Sequence, residues 1–406
     1  MPELIICVDR RDFPYSIPHP FYLPDASPVA LCGPKDLLDL HRLTILNSRQ
    51  SPRISRTSKW IEQTLKILRQ FDPRHTALVS SLGMTTWDFL TWAGGRMGFP
   101  IILIFPAGSA QNFNVVRTKA IMDLGLDDAK VLALRPIRAG LKSSPESDSA
   151  LRDRWIIALT HWLIPISVRP GGHIEKYLSH ADLNQEHVER NRQIPFEKSP
   201  VIKKPVVPKN IIIPESYRAA KFLIHWTRSC VGPWPGESRN DYFARIMDGD
   251  DEAGSGLEAL QRILQEGKIR ASAHLIRGGY PVVPFTECPP EDLPKLISWR
   301  AGLRRWTLEP YGFALGKLRL IELGARPVIY GTPADFERLE ERDQPFFQMA
   351  DSRSGYWRDE REWRIMGDVN LRSFAMMDGV IFLPSAHESG LLTECSRFRI
   401  IPLTED

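Results

Sequence analysis

The sequence predicts two domains of different class: an α/β domain built on parallel sheet, followed by an α+β domain built on antiparallel sheet. Three observations predict this. The 406 residues exceed what one ordinary hydrophobic core organises. The first half alternates apolar runs with helical stretches, whereas the second mixes short strands with one or two helices. Between them residues 194–216, IPFEKSPVIKKPVVPKNIIIPES, are rich in proline and lysine and lack periodicity. The expected organisation is a first domain over 1–193, a linker over 194–216 and a second domain over 217–406.

In the first half, LTILNSR (43–49) reads as a strand leading into a helix through Ile61, Leu65 and Leu68. TALVSSLGM (76–84) precedes a helix around Trp87 to Ala93, and PIILIFPAG (100–108) precedes one through Val116 and Met122. KVLAL (130–134) is a further strand. After the polar patch LKSSPESDS, another helix and strand end in the turn Arg169-Pro170-Gly171-Gly172-His173. This βαβα rhythm implies a parallel sheet covered on both faces, with ligands at the carboxyl ends of its strands.

Composition narrows the function classes. With 43% hydrophobic and 25% charged residues the chain is a globular protein rather than a disordered one. No apolar run reaches membrane-spanning length, and the start MPEL lacks the basic and apolar regions of a signal peptide, so a cytoplasmic location is expected and no membrane partner. Cys7, Cys32, Cys230, Cys288 and Cys395 are scattered without paired spacing or a histidine cluster, which argues against a disulfide framework and a metal site. A net charge of +4 mildly favours an anionic partner.

The first-half motifs carry a resemblance. Ser48-Arg49 after the first strand, SSLGMT after the second, a short strand ending Pro-Ala-Gly and a late Gly-Gly turn resemble the Rossmann-like domain of the DNA-processing protein A (Smf) family over residues 38–180. Lysine-decarboxylase-like nucleotide hydrolases share the architecture. The resemblance implies single-stranded DNA held on strand-end loops, at Ser48, Arg49, Ser81, Gly83, Gly171 and Gly172. The chain departs from the family in its last turn, which reads PGGH.

In the second half, KFLIHWTR (221–228) reads as a strand with His225 and Thr227 on one face. SGLEALQRILQEGKIRAS (255–272) is an amphipathic helix stopped by Gly267, with Leu257, Leu260, Ile263 and Leu264 inward. YPVVPFTECP (280–289) is a strand with a polar end, and EPYGFALGKLRLIELGARPVIYG (309–331) supplies a turn, a helix and a strand. In WRDEREWRIMGD (357–368), strand alternation places Glu360, Glu362 and Arg364 on one side and Arg361, Trp363 and Ile365 on the other. Two carboxylates beside an arginine can hold charge for chemistry.

This order is similar to the ADP-ribosyltransferase fold, particularly its DNA-modifying toxin and phage-defence branch, over residues 221–370. The resemblance implies NAD as cofactor, seated by His225 or Arg228 with Thr227 and Tyr311 nearby. Glu362 would be the carboxylate that stabilises an oxocarbenium-like transition state. Glu360 would activate the acceptor, and Glu287 ends the neighbouring strand. The Ser-Thr-Ser of many such transferases is replaced by Phe285-Thr286-Glu287-Cys288. Together the resemblances imply a bacterial DNA-modification or defence enzyme that moves ADP-ribose from NAD to a nucleobase, working with proteins of the same operon.

Two alternatives stand beside this one. Cys230 or Cys288, activated by a histidine, would be a nucleophile for nitrile or amide chemistry on a deazapurine (deazaguanine type) in DNA without NAD. Alternatively both halves only grip DNA, since the aromatics near arginine in CVGPWPGESR, SWRAGLRRW and GYWRDEREWR suit base stacking.

Overall fold

In the computed structural model, the described residues are 4–7, 13–23, 28–51, 53–137, 147–197, 203–208, 210–215, 221–249, 254–303, 305–350, 356–392 and 397–404. Cys395, Lys198 and Lys209, which the sequence analysis singles out, lie outside them. The chain divides into two compact units, one of residues 1–200 with 237–251 and one of residues 201–236 with 252–406.

The first unit contains a seven-stranded sheet of β1 (Leu4–Cys7), β2 (Val29–Cys32), β3 (His41–Leu46), β4 (Thr76–Ser81), β5 (Ile101–Ile104), β6 (Val131–Pro136) and β7 (Trp162–Pro165). Their order is β1-β2-β6-β5-β4-β3-β7. The five strands from β6 to β7 are parallel, and β1 and β2 add an antiparallel edge that the sequence reading missed. Helices α1 (Lys59–Leu68), α2 (Thr85–Arg96), α3 (Phe113–Leu124), α4 (Asp148–Leu159) and α5 (His173–Leu178) connect the parallel strands or follow them. Runs such as Ile101-Ile102-Leu103-Ile104 are wholly buried, as strands covered on both faces must be. In α3, Phe113, Arg117, Ala120, Ile121 and Leu124 are buried, and Val116 and Met122 face solvent.

Helix α6 (Arg239–Asp248), which the sequence assigns to the second domain, belongs to the first unit. Ser238 caps it, Arg239 pairs with Asp88 at 2.7 Å and Asp123 at 2.6 Å, and Phe243 packs on Phe89 and Trp92. Its sequence carried no long-range signal, because the pairing partners lie more than 100 residues away.

At the amino end of β3, Arg42 is fully buried and donates to Ser16 O at 2.8 Å and to the His161 ring at 3.4 Å. His41 stacks on His161, and His19 lies 5.3 Å from His187. Burial first, then the charges of Arg42 and the neighbouring histidines, push His161 down to about 4. Burial and His187 push His19 to about 4 as well.

The second unit contains another seven-stranded sheet: β8 (Phe222–Trp226), β9 (Val282–Thr286), β10 (Gly312–Gly316), β11 (Arg326–Pro327), β12 (Glu362–Met366), β13 (Gly379–Leu383) and β14 (Arg399–Pro402). The order is β11-β12-β9-β8-β10-β13-β14, antiparallel except between β13 and β14. One face buries Leu223, Phe285, Phe313 and Ile365 with Leu260 and Leu264 of α7 (Gly256–Glu266). The other buries Ile224, Trp226, Ala314 and Phe382 with Ile213 and Leu293. Gly312, read from sequence as part of a turn, is instead in a central strand. A Cβ there would stand 2.5 Å from the Trp226 ring, so only glycine lets β8 and β10 pair. Part of the expected linker is also structural, since Ile213 is buried on this second face and Val207 and Ile211 pack against it.

The depressed histidines set a sign for acid stability. Between about pH 6.5 and 4 the unfolded chain binds protons at His19 and His161 that the folded chain refuses, so stability falls as pH falls through that window. Thermal unfolding followed by circular dichroism should show a falling Tm over this range, with a shallower slope for His161→Gln. Equal slopes for variant and parent contradict this origin.

Candidate functional site

The second unit's polar cluster is placed by strand register. Thr286 stands opposite both Ile224 and Glu362, and Pro284 stands opposite Arg364. Paired residues share a face, so Thr286, Glu362 and Arg364 lie on the side of Ile224, while His225, Phe285 and Trp363 lie on the other. His225 and Glu362, both candidates from sequence, therefore lie on opposite faces of the sheet. His225 stacks edge-on against Phe285, its Nδ1 meets Pro284 O at 2.8 Å, and burial pushes it down to about 4.

Arg364 is the centre of the cluster. It is 2% exposed and donates to Pro345 O, to Phe347 O at 2.7 Å and to Gln348 Oε1 at 2.5 Å. Its remaining donors hold Glu362 at 2.8 and 3.2 Å, a two-pronged pair. Tyr330 OH accepts from Glu362 N, and burial raises its own pKa to about 12.

Glu360 does not lie on the strand. A helical turn, Tyr356–Asp359, precedes it, and Arg361 between the two glutamates has φ of 41°, a region non-glycine residues avoid. The end of β9 clamps this bend. Thr286 Oγ1 donates to Glu360 O at 2.5 Å, the Cys288 thiol donates to Asp359 O at 3.1 Å, and Arg361 O accepts from Glu287 N at 3.1 Å. The segment Thr286-Glu287-Cys288 thus shapes the carboxylate loop. Glu360 pairs with Arg300 at 3.2 Å, yet burial first and the Glu362 charge second push it up to about 7, against the pull of Arg300 and Arg228. Arg228 is exposed, and burial first and the Arg305 charge second lower its pKa to about 10. Arg228 senses the charges of Arg305, Cys230 and Glu360, which places these groups together.

Other candidates have different employment. Thr227 is buried, its hydroxyl donating to Gly256 O and Tyr311 O. Tyr311 OH donates to Glu388, and burial raises its pKa. Glu287 pairs with Lys317 and accepts from Trp363 Nε1 at 3.3 Å, on the face away from Glu362. Burial raises it, but these contacts outweigh burial and hold it below the usual range. The Cys230 thiol donates to Gly232 O at 3.2 Å and the Cys288 thiol to Asp359 O at 3.1 Å. Sequence reasoning missed Arg300 and Tyr330. Arg300 stood inside the aromatic and arginine run already noted, whereas Tyr330 gave no signal. Among the described residues no group of three or more metal-binding side chains occurs.

In the first unit the chain runs outward from β3 to β6 and then returns to β7 on the other side of β3. The order reverses between β3 and β7, which opens a crevice at their carboxyl ends. The two loops there are stitched together: Ser48 N donates to Ser167 O, Arg169 N to Ser48 Oγ at 2.8 Å, and Ser167 N to Asn47 Oδ1. Ser48 and Gly172, whose N donates to Arg169 O, therefore build the crevice, and the Gly171 amide goes to Glu175. Ser81 is buried with its hydroxyl on Ile104 O, and the Gly83 amide goes to Asp88. These amides and the Ser81 hydroxyl bond within the fold, and the Ser48 hydroxyl oxygen accepts from Arg169 N. The exposed groups are cationic: Arg49, Arg53 and Arg56 on the loop after β3 and Arg169 after β7.

No family model and no curated protein matches the chain. Among solved structures, DNA processing protein A from Helicobacter pylori, described for its single-stranded DNA binding mode, matches at 18% identity and a TM-score of 0.29, over 42% of this chain and 74% of that one. DNA processing protein A from Streptococcus pneumoniae matches at 18% identity and a TM-score of 0.26, over 36% of this chain and about half (48%) of that one. Both belong to the family that residues 38–180 resemble, and the likeness covers part of the chain at low score.

Proposed function

We propose that the chain is a nucleic-acid-modifying transferase, with the first unit holding single-stranded DNA and the second moving ADP-ribose from NAD to a nucleobase. The observation that carries the reading is the contrast between two neighbouring glutamates: Glu362 locked to buried Arg364, and Glu360 raised to about 7. Neighbouring carboxylates with separated environments are an arrangement for divided roles.

The residues present fit a dinucleotide. Arg228, Arg300 and Arg305 around the carboxylates supply positive charge for a diphosphate. When bound, NAD supplies a ribose activated by its positively charged nicotinamide. Glu362, oriented by the two-pronged contact from Arg364, would lie against the positive charge that develops on such a ribose. Glu360, raised to about 7, would take the N–H proton that the acceptor base gives up. In the first unit Arg49, Arg53, Arg56 and Arg169 at the crevice suit phosphate contacts.

Glu360 gives the cleanest test. Glu362→Gln leaves the buried Arg364 charge uncompensated, a loss of about 3–5 kcal/mol in stability, so it confuses folding with chemistry. Glu360→Gln removes the proton acceptor and should lower NAD-dependent modification of single-stranded DNA by about 100-fold or more, measured by mass spectrometry of the DNA nucleosides. The parent rate should rise with pH through about 7, and the variant should lack that limb. Because the raised Glu360 carboxyl favours the folded state only when protonated, it costs stability as pH rises from 4.5 to 7. Glu360→Gln should therefore raise Tm at pH 8. A fully active variant removes Glu360 from the chemistry.

Two further outcomes separate the readings. Cys230→Ser should retain NAD-dependent product, whereas a product formed without NAD and abolished by this change supports cysteine chemistry on a deazapurine instead. Arg49→Ala should weaken single-stranded DNA binding and flatten its salt dependence by about one unit of slope, measured by fluorescence anisotropy at several salt concentrations. An unchanged slope excludes Arg49 from phosphate contact.

A further inference from the structure

At the amino ends of β3 and β7, the opposite ends from the crevice, the first unit buries a positive charge that pairs with no carboxylate among the described residues. Arg42 is 0% exposed. Its Nη2 donates to Ser16 O at 2.8 Å and its Nε to His161 Nδ1 at 3.4 Å, whereas its Nη1 is buried with no hydrogen-bond partner among the described residues. Asp39, before β3, is the acid whose charge it senses, and burial outweighs that attraction to lower its pKa to about 10. A buried guanidinium is ordinarily matched, because an unpaired charge away from water costs several kcal/mol.

The groups around Arg42 are histidines. His161 senses the charges of Arg42, His41, His187 and His19, which places the five side chains together. His41 stacks on His161 with ring centroids 4.9 Å apart, and the rings of His19 and His187 stand 5.3 Å apart. His19 is 2% exposed, and its Nε2 and the Nδ1 of His187 are also buried without a partner among the described residues. His161 and His187 are half-buried and His41 is exposed, so the cluster runs from the core to the surface. Three unpartnered nitrogens, on segments far apart in the sequence, thus collect around one unmatched charge. Packing alone does not call for them, since buried polar groups are as a rule hydrogen-bonded.

We propose that Arg42, His19 and His187 form a site for a tetrahedral oxyanion, the phosphate group of free phosphate or of a nucleotide. The oxyanion accepts from Arg42 Nη1 and from imidazole N–H groups, and its charge supplies the match that Arg42 lacks. Nitrogens converging from separate segments suit an ion with oxygens on every side. The site is independent of the transferase reading and of the crevice arginines, which lie at the other ends of the strands. An anion here favours the protonated imidazoles that burial and Arg42 disfavour, so binding takes up protons and tightens as pH falls towards the low pKa values of His19 and His161, about 4.

The test follows the imidazole resonances of the full chain labelled with heavy carbon in histidine, assigned by single substitutions, as inorganic phosphate is added. The same titration with sulfate, whose charge does not change in this range, isolates the pH effect. Phosphate should shift His19, His161 and His187 saturably, and sulfate should bind severalfold more tightly at a pH of about 6 than at about 7.5. His187→Ala, checked for parental circular dichroism and Tm, should weaken phosphate binding about tenfold or more, the loss of one hydrogen bond to a charged group. Shifts that chloride reproduces at matched ionic strength, shifts confined to histidines outside the cluster, or sulfate affinity indifferent to pH overturn the site. So does parental affinity in His187→Ala; if that variant does not fold, the parent's resonances decide. Adenosine monophosphate that saturates the same resonances at lower concentration than phosphate identifies a nucleotide as the source, and any other result with it identifies the free ion.

Discussion

The second unit depends on one buried cation. Arg364 sits on a central strand where water does not reach it, and its donors bind two backbone carbonyls, one side-chain amide and Glu362. A guanidinium in that position must be matched by a carboxylate or the fold loses several kcal/mol. Glu362 is therefore fixed in direction before any ligand arrives. Its charge in turn raises Glu360, which burial has already shifted, so the acid–base character of one glutamate follows from the structural duty of the other. The strained Arg361 between them and the clamp from Thr286 and Cys288 keep the two carboxylates at different depths.

The first unit solves a different problem by topology. The strand order reverses between β3 and β7, the kind of switch point at which open parallel sheets bind ligands. Asn47, Ser48 and Ser167 spend their polar groups on joining its two walls. What remains to meet a ligand is long, exposed and positively charged, which favours the repeating phosphates of a strand over a ligand gripped by backbone amides. The buried Arg42 and histidine group lies at the amino ends of the same strands, away from that crevice.

Sequence patterns revealed the parallel strands because wholly buried runs such as Ile101–Ile104 admit few other readings. They also located Glu360 and Glu362. What they could not show was register. Alternation within residues 360–366 treated Glu360 as a strand residue, but a positive φ at Arg361 ends that regularity, and no residue preference signals it. His225 looked equivalent to Arg228 because both lie at the end of one strand. Only the pairing of Thr286 with Ile224 and Glu362 puts His225 on the side away from Glu362. Tyr311-Gly312 passed for a turn because Gly312 is there to admit the Trp226 ring, a contact 86 residues distant in the chain (312 less 226). Helix α6 was misassigned for a related reason, since Arg239 finds its acids in α2 and α3.

Isotope tracing tests the central claim most directly. The full chain would be incubated with single-stranded DNA and NAD carrying heavy carbon in the nicotinamide-linked ribose, and the digested nucleosides and released nicotinamide would be measured by mass spectrometry. The account predicts a DNA nucleoside that gains the labelled ribose with its diphosphate and adenosine, and one nicotinamide released per nucleoside modified. A modified nucleoside without the label, or one that forms equally well without NAD, would contradict it.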